Sequence, residues 1–420
     1  MFKKRVIAAL SAALLAGSAA AVELGTGEKG EVLIAPMIMA AGGWDSELRV
    51  INTDVLNSAV VKVVFHEPGQ SAEVLDFFIF LSPGDVWRGT ATKNADGSIG
   101  VRSSDDSSLM VQAAGANPNC LQPTATATGF DPAVVKTTIA LDFAYVNFFQ
   151  ARTFAGGADG TAISKASILS AYSAACLAGT EIGPTLTTLR DDTTDLLAGD
   201  VTMLNASNGN ILRLNMTALP NVNNNVYHGL ANYTGFSTVT SNNHIGVIKS
   251  RVEDAIWAQN YAFPYDVTGG NQTFGTVTFP TKEAILLSPA TQYNPFPGSP
   301  TVALRIRDEA EQVIGVAGCQ ISPCPVTPGN SLPNELNVIE VRGGAGTNTP
   351  SQLFTRDFTR GWVNMSIQGV ASRNRSNPLW NNFGVSGAPA LATAIQWTQR
   401  GTALQGVWNY APRTYTPGAR

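Results

Sequence analysis

Histidines, carboxylates, cysteines and aromatic rings are the side chains through which this chain could do chemistry. The histidines are His66, His228 and His244, far apart and outside any metal-ligand motif. They read as exposed or turn residues, with a His228 and His244 metal pair as the alternative weighed against that. The carboxylates are densest at Asp191, Asp192 and Asp195, with Asp105 and Asp106 as a second group between serines. Two carboxylates suffice for glycoside hydrolysis, because spacing in sequence does not set their separation in space. Their settings point elsewhere. Asp191 to Ala198 reads as a short helix ended by Gly199, where acidic residues suit the N-terminal dipole, and Asp105 and Asp106 suit a solvated turn. Gly25 to Gly30 spells G-x-G-x-x-G, but it precedes a strand, whereas a dinucleotide loop follows a strand and opens a helix. No G-x-S-x-G elbow occurs, so a hydrolase serine has no support. The expectation is no catalytic residue, no cofactor and no metal.

Cysteine chemistry is expected to be structural. Cys319 and Cys324 flank a turn-rich segment and are paired, which leaves Cys120 for Cys176. Chain entropy assigns about 2 kcal/mol to the short loop and about 4 kcal/mol to the long one. The spacings do not suit zinc, and no histidine lies near either pair. Aromatic residues crowd the tail, at Trp380, Trp397, Trp408, Tyr410 and Tyr415. Exposed, Trp397, Trp408 and Tyr410 would form a platform for sugar rings; buried, they would seal the end of a core.

The elements that must position these residues are strands. Alternation with a period of two, broken by turn residues, dominates the chain. Val32 to Met39 is apolar on both faces, which suits a strand buried on both sides or one lent to a neighbour's sheet edge. Pro36 must then lie at an edge or a bulge, since it donates no ladder bond. Glu47 to Val50 alternates before an Asn52-Thr53-Asp54 turn. Val61, Val63 and Phe65 point one way, Lys62 and His66 the other. Glu73 to Leu81 is a further strand, turned by Ser82-Pro83-Gly84. Later strands fall at Thr276 to Phe279, Val302 to Ile306, Leu336 to Val341 and Val363 to Ile367, and Ala162 to Leu177 is the one convincing helix. Together these predict a mainly β chain: an antiparallel β-sandwich, Ig-like or jelly-roll-like, in two β-rich portions with one short helical insertion. The expected division is 1–21, 22–200 and 201–420, or a single domain after residue 21.

The first of those segments reads as a signal peptide. Lys3, Lys4 and Arg5 precede an apolar run from Val6 to Gly17, and Ala19-Ala20-Ala21 suits a signal peptidase that would leave Val22 first. Loss of those three cations takes the formal charge from −4 to −7. With 14% charged residues and no basic cluster, nucleic acid and anionic membranes are poor partners. No apolar stretch near 20 residues follows, so the mature chain is expected to have no membrane span.

Gly43-Trp44-Asp45, Val50-Ile51-Asn52-Thr53, Val61 to Glu67, Val74-Leu75-Asp76-Phe77 and Leu81 to Trp87 resemble a recurrent block of exported β-rich proteins of Gram-negative bacteria. Leu391 to Trp397 and Val407 to Tyr410 resemble the close of the same proteins. The resemblance implies export and β-structure, and it brings no site residue with it.

The expected function is that of an exported, non-enzymatic structural or assembly protein of the cell surface, extracellular matrix or a filament, with further copies of itself as partner. Its location would be periplasmic, cell-surface or extracellular. A glycan-binding module or adhesin is the first alternative and a secreted carboxylate-dependent hydrolase the second.

Overall fold

The computed structural model describes residues 29–69, 73–103, 110–113, 121–123, 135–155, 164, 167–168, 189–190, 195–207, 209–220, 255–258, 260–280, 301–310, 330–332, 334–343, 352–356, 359–368, 388–400 and 403–410. Cys120, Cys176, Cys319, Cys324, His228, His244, Asp105, Asp106, Asp191 and Asp192 lie outside them.

The chain is mainly β, as its alternation predicts. The first half builds β1 (Val32–Met39), β2 (Trp44–Asn52), β3 (Ser58–His66), β4 (Glu73–Leu81), β5 (Val86–Lys93) and β6 (Ser98–Ser103). It continues with β7 (Met110–Ala113), β8 (Leu121–Pro123), β9 (Lys136–Ala140), β10 (Phe143–Phe154) and β11 (Leu189–Arg190). It closes with β12 (Leu197–Asn205), β13 (Asn210–Asn215) and β14 (Thr217–Leu219). One antiparallel sheet runs β14-β1-β10-β3-β4-β7-β8, with β11 also on β10. The other runs β13-β12-β2-β5-β6-β9. Neither closes into a barrel; they face one another as a sandwich around a shared apolar core.

The core follows from the period of two. Leu48 and Val50 of β2, Trp87 and Ala91 of β5, and Leu212 and Leu214 of β13 turn inward against Val61, Val63 and Phe65 of β3 and Phe77 and Ile79 of β4. Their sequence neighbours Glu47, Arg88, Ile211 and Arg213 face outward. β1 is an interior strand, paired with β10 on one side and β14 on the other. Pro36 falls where the register shifts between Ala35 and Ile38, the bulge that a missing N–H requires.

One expectation fails. Asp191 to Ala198 was to be helical, yet Leu197 opens β12 and pairs across the whole of β2, from Leu197 opposite Asn52 to Asn205 opposite Trp44. Gly199 is no helix end. A Cβ there would stand 2.7 Å from the Arg49 carbonyl oxygen and 2.7 Å from Met216 Sδ, so glycine lets β12 pass close to its neighbours. Acidic residues near a glycine signal a helix only where tertiary pairing does not compete. Of the predicted Ala162 to Leu177 helix, only Ser164, Ser167 and Ile168 are described; Ile168 N donates to Ser164 O at 3.1 Å, a bond of helical spacing.

The second half has β15 (Trp257–Ala258), β16 (Asn260–Asp266), β17 (Gln272–Thr278), β18 (Thr301–Asp308), β19 (Asn330–Ser331) and β20 (Leu336–Gly343). They are followed by β21 (Gln352–Arg356), β22 (Arg360–Gln368), β23 (Ala388–Pro389), β24 (Leu391–Arg400) and β25 (Ala403–Tyr410). They form sheets β16-β22-β18-β19, β21-β20-β17-β24-β25 and β15-β23. Only the β20–β21 pair is parallel among the described strands. Tyr261, Phe263, Val363 and Met365 pack against Val277 and Ala394 in a second core.

The halves share structure. Leu336 and Ile395 belong to the first core, with Phe274, Val338 and Trp397 packed against it. Thr278 Oγ1 donates to the Pro36 carbonyl at 2.8 Å. The N–H groups of Glu335 and Leu336 donate to the Pro68 carbonyl at 2.9 and 3.0 Å.

Candidate functional site

The polar residues of the β3–β4 hairpin come together on the face turned away from the sandwich core. Antiparallel register puts Tyr145 opposite His66, Asn147 opposite Val64, Val64 opposite Asp76, and His66 opposite Glu73. Lys62 reaches into the same group, with Nζ 3.0 Å from Asp76 Oδ2 and 3.5 Å from Glu73 Oε1. The Lys62 side chain is only 3% exposed, whereas Glu73 and Asp76 retain 25% and 40%. His66 is buried and stacks on Tyr145 with ring centroids 4.8 Å apart. Its Nε2 lies 3.1 Å from the Asn147 side-chain amide, and the ring's tautomer sets which of the two donates. Tyr145 then donates its hydroxyl to Glu335 Oε2 at 3.2 Å, and Glu335, from the second half, is fully buried.

This corrects the reading of His66 as an exposed or turn residue. Alternation correctly turns Lys62 and His66 away from the first core, but that second face is covered as well. A covered polar face must satisfy its own groups. Here one ammonium sits between two carboxylates, and a histidine, a tyrosine and a glutamate link the halves. Nothing local in the sequence signals the arrangement, because Glu335 lies 190 residues from Tyr145.

Burial pushes the Glu73 carboxyl up to about 7; Asp76 beside it adds to the rise and Lys62 offsets part of it. A carboxyl whose folded pKa exceeds its ordinary 4.5 binds more protons folded than unfolded between those values. Its contribution to stability is therefore full below 4.5 and is lost as pH rises through about 7. Replacing Glu73 by glutamine is expected to flatten that part of the stability curve. Urea denaturation of both proteins at several pH values between 4.5 and 8 tests this, and equal slopes would count against it.

The aromatic tail residues occupy a different place. Trp397 is half-buried, with ring centroids 5.1 Å from Trp44 and 5.6 Å from Phe274. It packs where the second half meets the first. Trp408 pairs with Gln396 and Tyr410 with Ala394 in the β24–β25 ladder; their side chains lie outside the described residues. Among the described residues no group of three or more His, Cys, Asp or Glu is placed to hold a metal ion, and no helix is long and apolar enough to cross a membrane.

A second feature lies at the end of the sandwich, in the loop from β2 to β3. Val55 is 81% exposed and Leu56 50%, although such side chains ordinarily turn inward. The backbone beneath them is tightly bonded. Asp54 Oδ1 accepts from the N–H groups of Leu56 and Asn57, each at 2.7 Å, and Oδ2 accepts from Asn57 Nδ2 at 3.1 Å. The buried Asn52 donates its amide to the Asn57 carbonyl at 2.7 Å and to the Ser82 carbonyl at 3.0 Å. Gly84 N donates to Asp54 O at 2.8 Å, and Thr53 N to Leu196 O at 2.7 Å. Partial burial acts to raise the Asp54 pKa, but the Leu56 and Asn57 donors outweigh it and hold the carboxyl below its usual value. Replacing Asp54 by alanine hands the exposed Leu56 donor to water and takes the acceptor from the part-buried Asn57 N–H, and is expected to cost about 0.5–1.5 kcal/mol. Denaturant unfolding measures the loss, and a change too small to resolve would mean the loop stands without its carboxylate.

No protein-family model, curated protein or solved structure matches this chain.

Proposed function

We infer that this chain is an exported, non-catalytic structural protein that assembles with further copies of itself at the cell surface or beyond it. One observation carries the reading: a loop fixed by side-chain and backbone hydrogen bonds holds Val55 and Leu56 out in water. Exposed apolar residues on a mobile loop lose entropy when they dock. On a loop already fixed, that cost is small and the apolar contact is retained as affinity. Two halves joined through a common core and the Tyr145–Glu335 bond suit a rigid building block.

Light scattering on the purified mature protein tests this. The expected mass rises above that of the monomer with concentration, and a strict monomer over the whole accessible range overturns the reading. Export is tested separately by sequencing the N-terminus of the protein from cells, which is expected to begin at Val22. Glycan-array binding in the absence of self-association would favour the sugar-recognition alternative.

A further inference from the structure

The Lys62 group of the β3–β4 hairpin holds the parts of a condensation as well as those of an ion pair. Lys62 stands opposite Phe78 on β4 and opposite Phe149 on β10, with Val60 and Val64 on either side of it along β3. All four are buried, and Lys62 Nζ lies 5.8 Å from the centre of the Phe78 ring. Asp76 is one pair further along the hairpin, opposite Val64. Such a diagonal lies within reach of a long side chain, and Nζ meets Asp76 Oδ2 at 3.0 Å. An amine of one strand and a carboxyl of the next are thus held together against an apolar wall, with the carboxyl carbon one bond beyond the oxygen that Nζ touches.

Glu73 is the third member. Its Oε1 is 3.5 Å from the same Nζ, and it is hydrogen-bonded to both Lys62 and Asp76. With its carboxyl raised to about 7, it takes up and releases a proton readily at neutral pH, as a general acid and base must. An amide does not form between separate partners in water, but fixed orientation supplies an effective concentration of about 10⁵–10⁸ M. The product is neutral, so the cost of keeping a 3% exposed ammonium away from water disappears with it.

We propose that Lys62 and Asp76 condense to an isopeptide bond across the hairpin, with Glu73 as the proton shuttle. Lys62 Nζ forms the new bond with Asp76 Cγ, and one C–O bond of that carboxyl breaks. Glu73 relays the two protons that the nitrogen loses to the departing oxygen, which leaves as water. Ammonium and carboxylate become amide and water, no oxidant or cofactor enters, and Glu73 ends as it began. Because Asp76 is 40% exposed, water competes for its carboxyl. The freshly folded chain is therefore the ion-paired form, and the bond accumulates afterwards. Once made, it keeps Lys62 joined to Asp76 in the unfolded chain as well, which reduces the entropy gained on unfolding. The bond is independent of self-assembly.

The test follows the refolded mature protein during storage at neutral pH. Samples are reduced, denatured and digested with a protease that cuts after aromatic and large apolar residues, and the fragments are weighed by mass spectrometry. Cuts after Phe65 and Leu75 separate Lys62 from Asp76 along the chain, so only the isopeptide keeps the two fragments together, lighter than their sum by one water. The joined fragment is expected to grow until it predominates, fastest near pH 7. Lys62→Met and Asp76→Ala are expected to give none. Glu73→Gln, with its fold checked by circular dichroism, is expected to slow the growth at least about tenfold. Fragments that stay separate throughout storage overturn the proposal. Loss of water without joined fragments also overturns it, since the water has then left from a single side chain. A Glu73→Gln chain that condenses at the parent's rate overturns the shuttle.

Discussion

Replacing Lys62 by alanine is expected to cost about 3 kcal/mol, more than any conservative change at the same position. Two losses combine. The four-carbon stem is buried, and deleting a large side chain from a packed site costs about 2–5 kcal/mol. The ammonium is also shared by Glu73 and Asp76, and removing the cation from such a group leaves the carboxylates facing each other uncompensated. Because the two carboxylates reach water, the second loss is the smaller. Lys62→Met keeps the volume and removes the charge, and is expected to cost less than about 1.5 kcal/mol, since Glu73 can take up a proton. Denaturant unfolding of both variants separates volume from charge. Equal, large losses would mean that the charge, and not the stem, carries the site.

The second large effect lies in the sandwich core. Trp87 is fully buried, with its ring 5.9 Å from Phe77 and 6.4 Å from Phe148 between centroids. Truncation to alanine is expected to cost about 3–5 kcal/mol. Gly89, next inward on β5, is what makes room for the ring: a Cβ there would overlap the six-membered edge of Trp87. Gly89→Ala is therefore expected to cost about 1–3 kcal/mol in the parent and much less in the Trp87→Ala background, where the space is empty. A double-mutant cycle measures that coupling directly. Additive losses would show that the glycine serves the strand and not the ring.

The strands were legible because their signal is local. Val32 to Met39, read from its unbroken apolar run, and Glu73 to Leu81, read from its strand pattern and the turn after it, match β1 and β4 to the residue, and the bulge at Pro36 follows from one missing N–H. Later strands are recognised with ends displaced by a few residues, as Thr276 to Phe279 against β17 shows. The polar cluster was not legible. Period two says that Lys62 and His66 share a face; it does not say what covers that face, and the Glu335 link comes from the other half of the chain. The Val55–Leu56 loop escaped for the opposite reason. Between Asp54 and Asn57 the two residues look like the interior of a turn, and their exposure depends on Asn52 and Ser82 bonding beneath them.

The placement of β1 has a consequence for the order in which the protein is made. Its partners are β10, beginning at Phe143, and β14, ending at Leu219, so the first of the described strands is among the last of its half to be completed. Until then an eight-residue apolar strand has both edges open, the condition in which chains stick to one another. Closing loops of this length before any pairing compensates them makes for slow acquisition of structure. Refolding from urea is expected to be far slower than for a helical protein of similar size, and a binding protein that shields Val32–Met39 would raise the yield without changing the final stability.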